Sequence, residues 1–184
     1  MTGMQKYVAA TAVVLALVGA PSAAYAGAPG KTTPVTAQPA AKKAPTARIV
    51  APGEHVVDAG GAHFWLTEEG KHWTTPENPE PQFRSVVDGN IDLGTPGVGV
   101  QVEPSDDRVL LSGVYYGGRG TASSVTVRTT AGTLHGRLLE LAGDPGWGVW
   151  YASAELPADG DGLSVRSVVV RDTVGRVYSR LDLN

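Results

Sequence analysis

Between Ala47 and the C-terminus the apolar residues come in short runs, each cut by Gly, Pro, Asp or Asn before a helical stripe can build up. No stretch holds apolar residues at i, i+3, i+4 and i+7 beyond a turn or two, so the pattern predicts strands. They are expected at 48–50, 56–59, 63–66, 71–74, 83–87, 99–102, 108–115, 124–129, 133–141, 147–153, 163–171 and 176–181. Short strands at regular spacing, with turn residues between them, predict an all-β domain. A single antiparallel β-sandwich is expected, with a barrel as the alternative.

The stretch Gly146-Trp147-Gly148-Val149-Trp150-Tyr151-Ala152-Ser153 organises the rest, and it holds two of the four Trp residues. As a strand it turns Trp147, Val149 and Tyr151 to one face and Gly148, Trp150 and Ala152 to the other. Both faces are apolar, so packing is expected on both sides. Small residues next to the rings are how a sheet makes room for them. Around this strand, Thr130-Ala131-Gly132 and Asp172-Thr173-Val174-Gly175 read as hairpin turns. From Ser124 onward about five strands are expected to run as an antiparallel meander, enough for an independent sheet. The segment 74–96, rich in Pro, Glu, Asp and Asn, is expected to be a long irregular excursion of the kind that often carries function.

The N-terminal part follows different rules. Residues 1–26 read as a secretory signal peptide: Lys6, an uncharged apolar run over 8–18, a break at Pro21-Ser22, and a small-x-small site at Ala24-Tyr25-Ala26. The apolar run is short of the roughly 20 residues that span a bilayer, so the mature chain is expected to be free of the membrane. Residues 27–46 are Ala, Pro, Thr, Gly and Lys apart from Val35 and Gln38, with no aromatic residue, a composition expected of a disordered spacer. The β-domain is then 47–184. Export to the cell exterior or envelope follows, and the bias to Ala, Gly, Val, Pro and Arg suggests a GC-rich bacterial source.

Composition narrows the chemistry. With no Cys there is no disulfide, thiol nucleophile or thiolate zinc site. Four of the 15 Lys and Arg residues precede Ala47, leaving 11 against all 18 Asp and Glu. So acidic a domain argues against nucleic acid as a partner.

Several constellations are candidates for chemistry. His63 to Trp73 holds two His, two Glu and two Trp. A three-residue turn at Glu68-Glu69-Gly70 would pair Trp65 with Trp73 and set His63 and His72 on opposite faces, where they could not share a metal. Trp65 and Trp73 are expected to stabilise the sheet, or else to form an exposed sugar-stacking platform; a carbohydrate-binding module would use Trp65, Trp73 or Tyr115-Tyr116. Residues Thr67 to Trp73 resemble the Thr/Ser-x-Asp-Gly-Lys-x-Trp hairpin of discoidin-like sugar-binding domains and of Asp-box propellers. Glu69 stands at the Asp position, and the stretch occurs once, where a propeller needs several copies.

Asp88, Asn90 and Asp92 place oxygens at i, i+2 and i+4, as calcium loops do. Leu93 occupies the place of the turn glycine, and Gly99 that of the bidentate Glu, so polar turn chemistry is favoured over calcium. Gly117-Gly118-Arg119-Gly120 lacks the Lys-Ser/Thr ending of a phosphate loop and reads as a turn. No Gly-x-Ser-x-Gly or His-Glu-x-x-His signature occurs. In layout and composition the chain resembles secreted bacterial β-domains. The expected function is a non-catalytic interaction or structural domain without a cofactor, with cell-wall or other polysaccharide, or an extracellular protein, as its partner. The alternative is a secreted hydrolase with paired carboxylates drawn from Asp88, Asp92 and Glu68.

Overall fold

Period-two patterning becomes thirteen strands in a computed structural model that describes residues 44–156 and 162–183. The expected signal peptide, residues 27–43 of the expected spacer and the loop at 157–161 lie outside the described residues. In chain order the strands are β1 (Arg48–Val50), β2 (Val56–Val57), β3 (His63–Thr67), β4 (Gly70–Thr74), β5 (Gln82–Ser85), β6 (Gly97–Val98) and β7 (Gln101–Pro104). Then come β8 (Arg108–Tyr116), β9 (Ala122–Thr129), β10 (Gly132–Leu141), β11 (Trp147–Glu155), β12 (Val165–Asp172) and β13 (Val177–Asp182). Among the described residues there is no helix.

The strands form two sheets. The larger runs β13-β12-β9-β10-β11-β8-β6, with β1 parallel to β10 and β7 against β8. Its last strand, β6, comes round to lie beside β13, so this sheet curls into a nearly closed barrel. The turn is helped by β10, which pairs with β9 through residues 132–136 and with β11 through 137–139. The smaller sheet is antiparallel, in the order β2-β3-β4-β5.

Two sequence expectations are corrected. The five C-terminal strands do not form a meander, because β12 pairs with β9 rather than with β11. Strand β11 already has both edges filled, by β10 and β8, whereas β9 offers a free edge. The strand expected at 99–102 is divided into β6 and β7. Between them the Gly99 carbonyl accepts a hydrogen bond from Trp150 Nε1 at 3.0 Å, and Gly99 N donates to Val114 O at 2.8 Å.

Two cores share the wall made by β8, β10 and β11. Val109, Leu111, Tyr115, Val125, Val127, Leu138, Trp150 and Val168 fill the barrel. Leu110, Val114, Leu139, Trp147, Val149 and Tyr151 face outward and pack on Phe64, Leu66 and Trp73 of the small sheet. The expectation that β11 is apolar on both faces is therefore met. Room for the rings comes from reciprocal pairs: Trp150 lies opposite Gly113, and Tyr115 lies opposite Gly148. A Cβ on either glycine would collide, with Gly99 O in the first case and with the Tyr115 ring in the second.

Candidate functional site

The small sheet decides which of the expected site residues meet. Its β3–β4 hairpin pairs Thr67 with Gly70, Leu66 with Lys71, Trp65 with His72 and Phe64 with Trp73. The turn is thus the two residues Glu68-Glu69, and Gly70 belongs to the strand. Gly70 packs against the backbone of Arg84 on β5, where a Cβ would strike the Arg84 carbonyl. That contact draws it into the ladder and moves each later residue to the other face. The expected Trp65–Trp73 pair and the opposed histidines are corrected accordingly. Trp73 turns inward and is buried, while His63, Trp65 and His72 share the outer face.

On that outer face the rings form one row. His55, just before β2, stacks on Trp65 with centroids 4.5 Å apart and planes 17° from parallel. Trp65 stacks on His72 of β4 at 5.3 Å and 10°. His72 meets Phe83 of β5 at 4.6 Å and 30°. His63 abuts His55 edge-on at 5.9 Å. Both faces of the Trp65 ring are therefore covered by imidazoles, and the row presents ring edges outward. Phe83, on one edge strand, remains 48% exposed, and Val57, on the opposite edge strand, 54%. Thr67 Oγ1 lies 3.0 Å from His72 Nε2 and holds the imidazole in place. Burial between Trp65 and Phe83 lowers the His72 pKa, with Glu69 working the other way.

The inner face holds a residue that sequence reasoning missed. Lys71 is wholly buried between the sheets. Its Nζ donates to Ser112 Oγ at 2.6 Å and to Gln101 Oε1 at 2.8 Å, and lies 3.9 Å from the centroid of the Trp73 ring. Burial pulls its pKa from 10.5 to about 7, against the upward pull of Glu103. A lysine poised to lose its proton beside a serine hydroxyl is the pairing that activates a nucleophile. Ser112 is as buried as Lys71, however, and a substrate would have to part the two sheets to reach it. The signal available in the sequence was the alternation of β4, which sets Lys71 on the face of Trp73 once Gly70 is counted in the strand.

The other expected residues stay apart. Tyr115 is buried in the barrel, where its hydroxyl donates to Glu140 Oε1 at 2.7 Å. Tyr116 is half-buried, packs on Gly97 and lines a cavity of about 300 Å³ with Ile91, Gln101 and Val114. Asp88 accepts from the N and Nδ2 of Asn90, and Asp92 from Gly94 N and Thr95 Oγ1. These bonds lower both carboxyl pKa values and turn each group onto its own loop. Among the described residues, no three His, Asp or Glu side chains come together as a metal-holding group. Glu68 lines a separate apolar groove beside Val87, Leu93 and Trp147.

Compared with known proteins, the chain matches no protein-family model, no curated protein and no solved structure.

Proposed function

We propose that the chain is an exported, non-catalytic binding domain that holds polysaccharide of the cell wall or its surroundings on the outer face of the small sheet. One observation carries this reading. His55, Trp65, His72 and Phe83 form an unbroken row across all four positions of that sheet, on the side away from both cores. The barrel does not need these rings for its own packing, and an exposed apolar row of this kind marks a contact surface. Stacking locks the rings, so little rotamer freedom remains to be lost on binding. The stack leaves the outer ring face of Phe83, on the edge strand, for sugar C–H groups.

Phe83→Ala tests the reading directly, since the side chain is half-exposed and outside the core. Intrinsic tryptophan fluorescence titrated with soluble wall polysaccharide is expected to show a saturable change in the wild type. Affinity is expected to fall about tenfold in the variant, the loss of roughly 1.4 kcal/mol of contact energy. Equal binding by wild type and Phe83→Ala, with unchanged near-ultraviolet circular dichroism in both, would remove the ring row as the contact surface.

A further inference from the structure

Where the small sheet ends, the outer face of the barrel wall changes character. Strands β8, β10 and β11 are apolar outward beneath the small sheet, at Leu110, Leu139 and Val149. On the same faces beyond its edge they carry Arg108, Ser153, Arg137 and His135, with Tyr151 directly opposite Arg137 in the ladder. These residues form the floor of a groove of about 450 Å³, walled by Val57, Asp58 and Arg48.

The charges in this groove do not cancel. Arg48 is taken by Glu54 at 2.6 Å. Asp58 spends its carboxylate on the backbone N–H groups of Gly60 and Ala62, at 2.9 and 2.8 Å, and on the Ser153 hydroxyl. Among the described residues no carboxylate lies within ion-pairing distance of Arg108 or Arg137. Arg108 Nε is buried without a hydrogen-bond partner, and a buried donor left so costs about 1–3 kcal/mol. Two guanidiniums without an ion-pair partner, an imidazole and a phenol therefore converge on one concavity, with Asp58 as the one carboxylate in its lining, in a domain whose charge is otherwise strongly negative.

We propose that this groove is an anion-binding subsite that takes a carboxylate or phosphate carried on a saccharide. Planar guanidiniums bind either group through paired N–H donors, and the Tyr151 hydroxyl and His135 imidazole add further donors. The subsite rests on the reading of the ring row as a glycan surface, and the two adjoin. Val57 lines the groove and pairs with His63, the residue next to the row. A chain lying on Phe83, Trp65 and His55 passes over Val57 and lowers an acidic substituent between Arg137 and Arg108.

The test is titration of the mature protein with polygalacturonate, phosphomannan and dextran, using Arg137→Gln, Arg137→Glu and Phe83→Ala. Arg137 is exposed, so these variants are expected to keep the wild-type circular dichroism. The expected result is preference for one or both charged polymers over dextran by about tenfold or more, lost at high salt and in Arg137→Gln, and reversed in Arg137→Glu. Preference for polygalacturonate alone assigns a carboxylate, and for phosphomannan alone a phosphate. If the arginine variants bind the charged polymers as the wild type does, the subsite is overturned. If dextran binds equally well and only Phe83→Ala weakens all three, the subsite falls and the ring row stands. If no polymer binds, both readings fall together.

Discussion

Lys71 has exchanged bulk water for one amide oxygen, one hydroxyl and the face of an indole. None of these repays the full cost of burying an ammonium group, which is why its pKa settles at about 7. The consequence for stability has a definite sign. Unfolded, the side chain keeps its proton up to 10.5; folded, it releases it near 7. Across that window the unfolded chain binds more protons, so stability rises with pH. The gain is on the order of a few kcal/mol by about pH 10. Above the ordinary tyrosine range Tyr115 opposes it, because burial and the adjacent Glu140 keep its folded form neutral. Urea midpoints measured from neutral pH upward are expected to climb in the wild type and stay level in Lys71→Met. A climb that survives the substitution would assign the effect to another group. At this scale little was legible in advance. A lone lysine between Gly and His carries no mark of burial, since burial here depends on how one hairpin is registered.

The strands were more readable than their pairings. Eleven of the twelve predicted strands have a counterpart at nearly the same place, because alternation and turn residues act within a few positions of each other. The β3–β4 register was off by one residue, and the error followed from Gly70. Its place in the ladder is set by the Arg84 backbone on β5, fourteen positions away, which no local pattern reports. The same dependence makes the glycines of the wall sensitive positions. Gly148 lies beneath the Tyr115 ring and also close to the Leu139 carbonyl. Gly148→Ala is expected to destabilise the fold by about 1–3 kcal/mol, the usual range for overpacking a dense core. Urea denaturation followed by circular dichroism measures it. A loss below the lower figure would mean that Tyr115 can swing aside at little cost.

At the scale of the whole molecule, one wall serves two cores. Strands β8, β10 and β11 fill the barrel with one face and anchor the small sheet with the other. The small sheet on its own has four short strands and no second layer, so it depends on that wall. A single unfolding transition is expected, with tryptophan fluorescence and far-ultraviolet circular dichroism coincident in urea. An early fluorescence change, before the main loss of strand signal, would show the small sheet leaving first. The two-sided wall was determined by the sequence alone, in the tryptophan stretch 147–152, because a strand apolar on both faces has to be covered on both. The all-β class followed from the same local periodicity. Only the tertiary structure decided which edges were free to receive β12, that Trp73 and Tyr115 face inward, and that Arg108 and Arg137 share a groove. Those outcomes depend on contacts between residues far apart in the chain, and a pattern with a period of two says which face a residue takes but not what lies across from it.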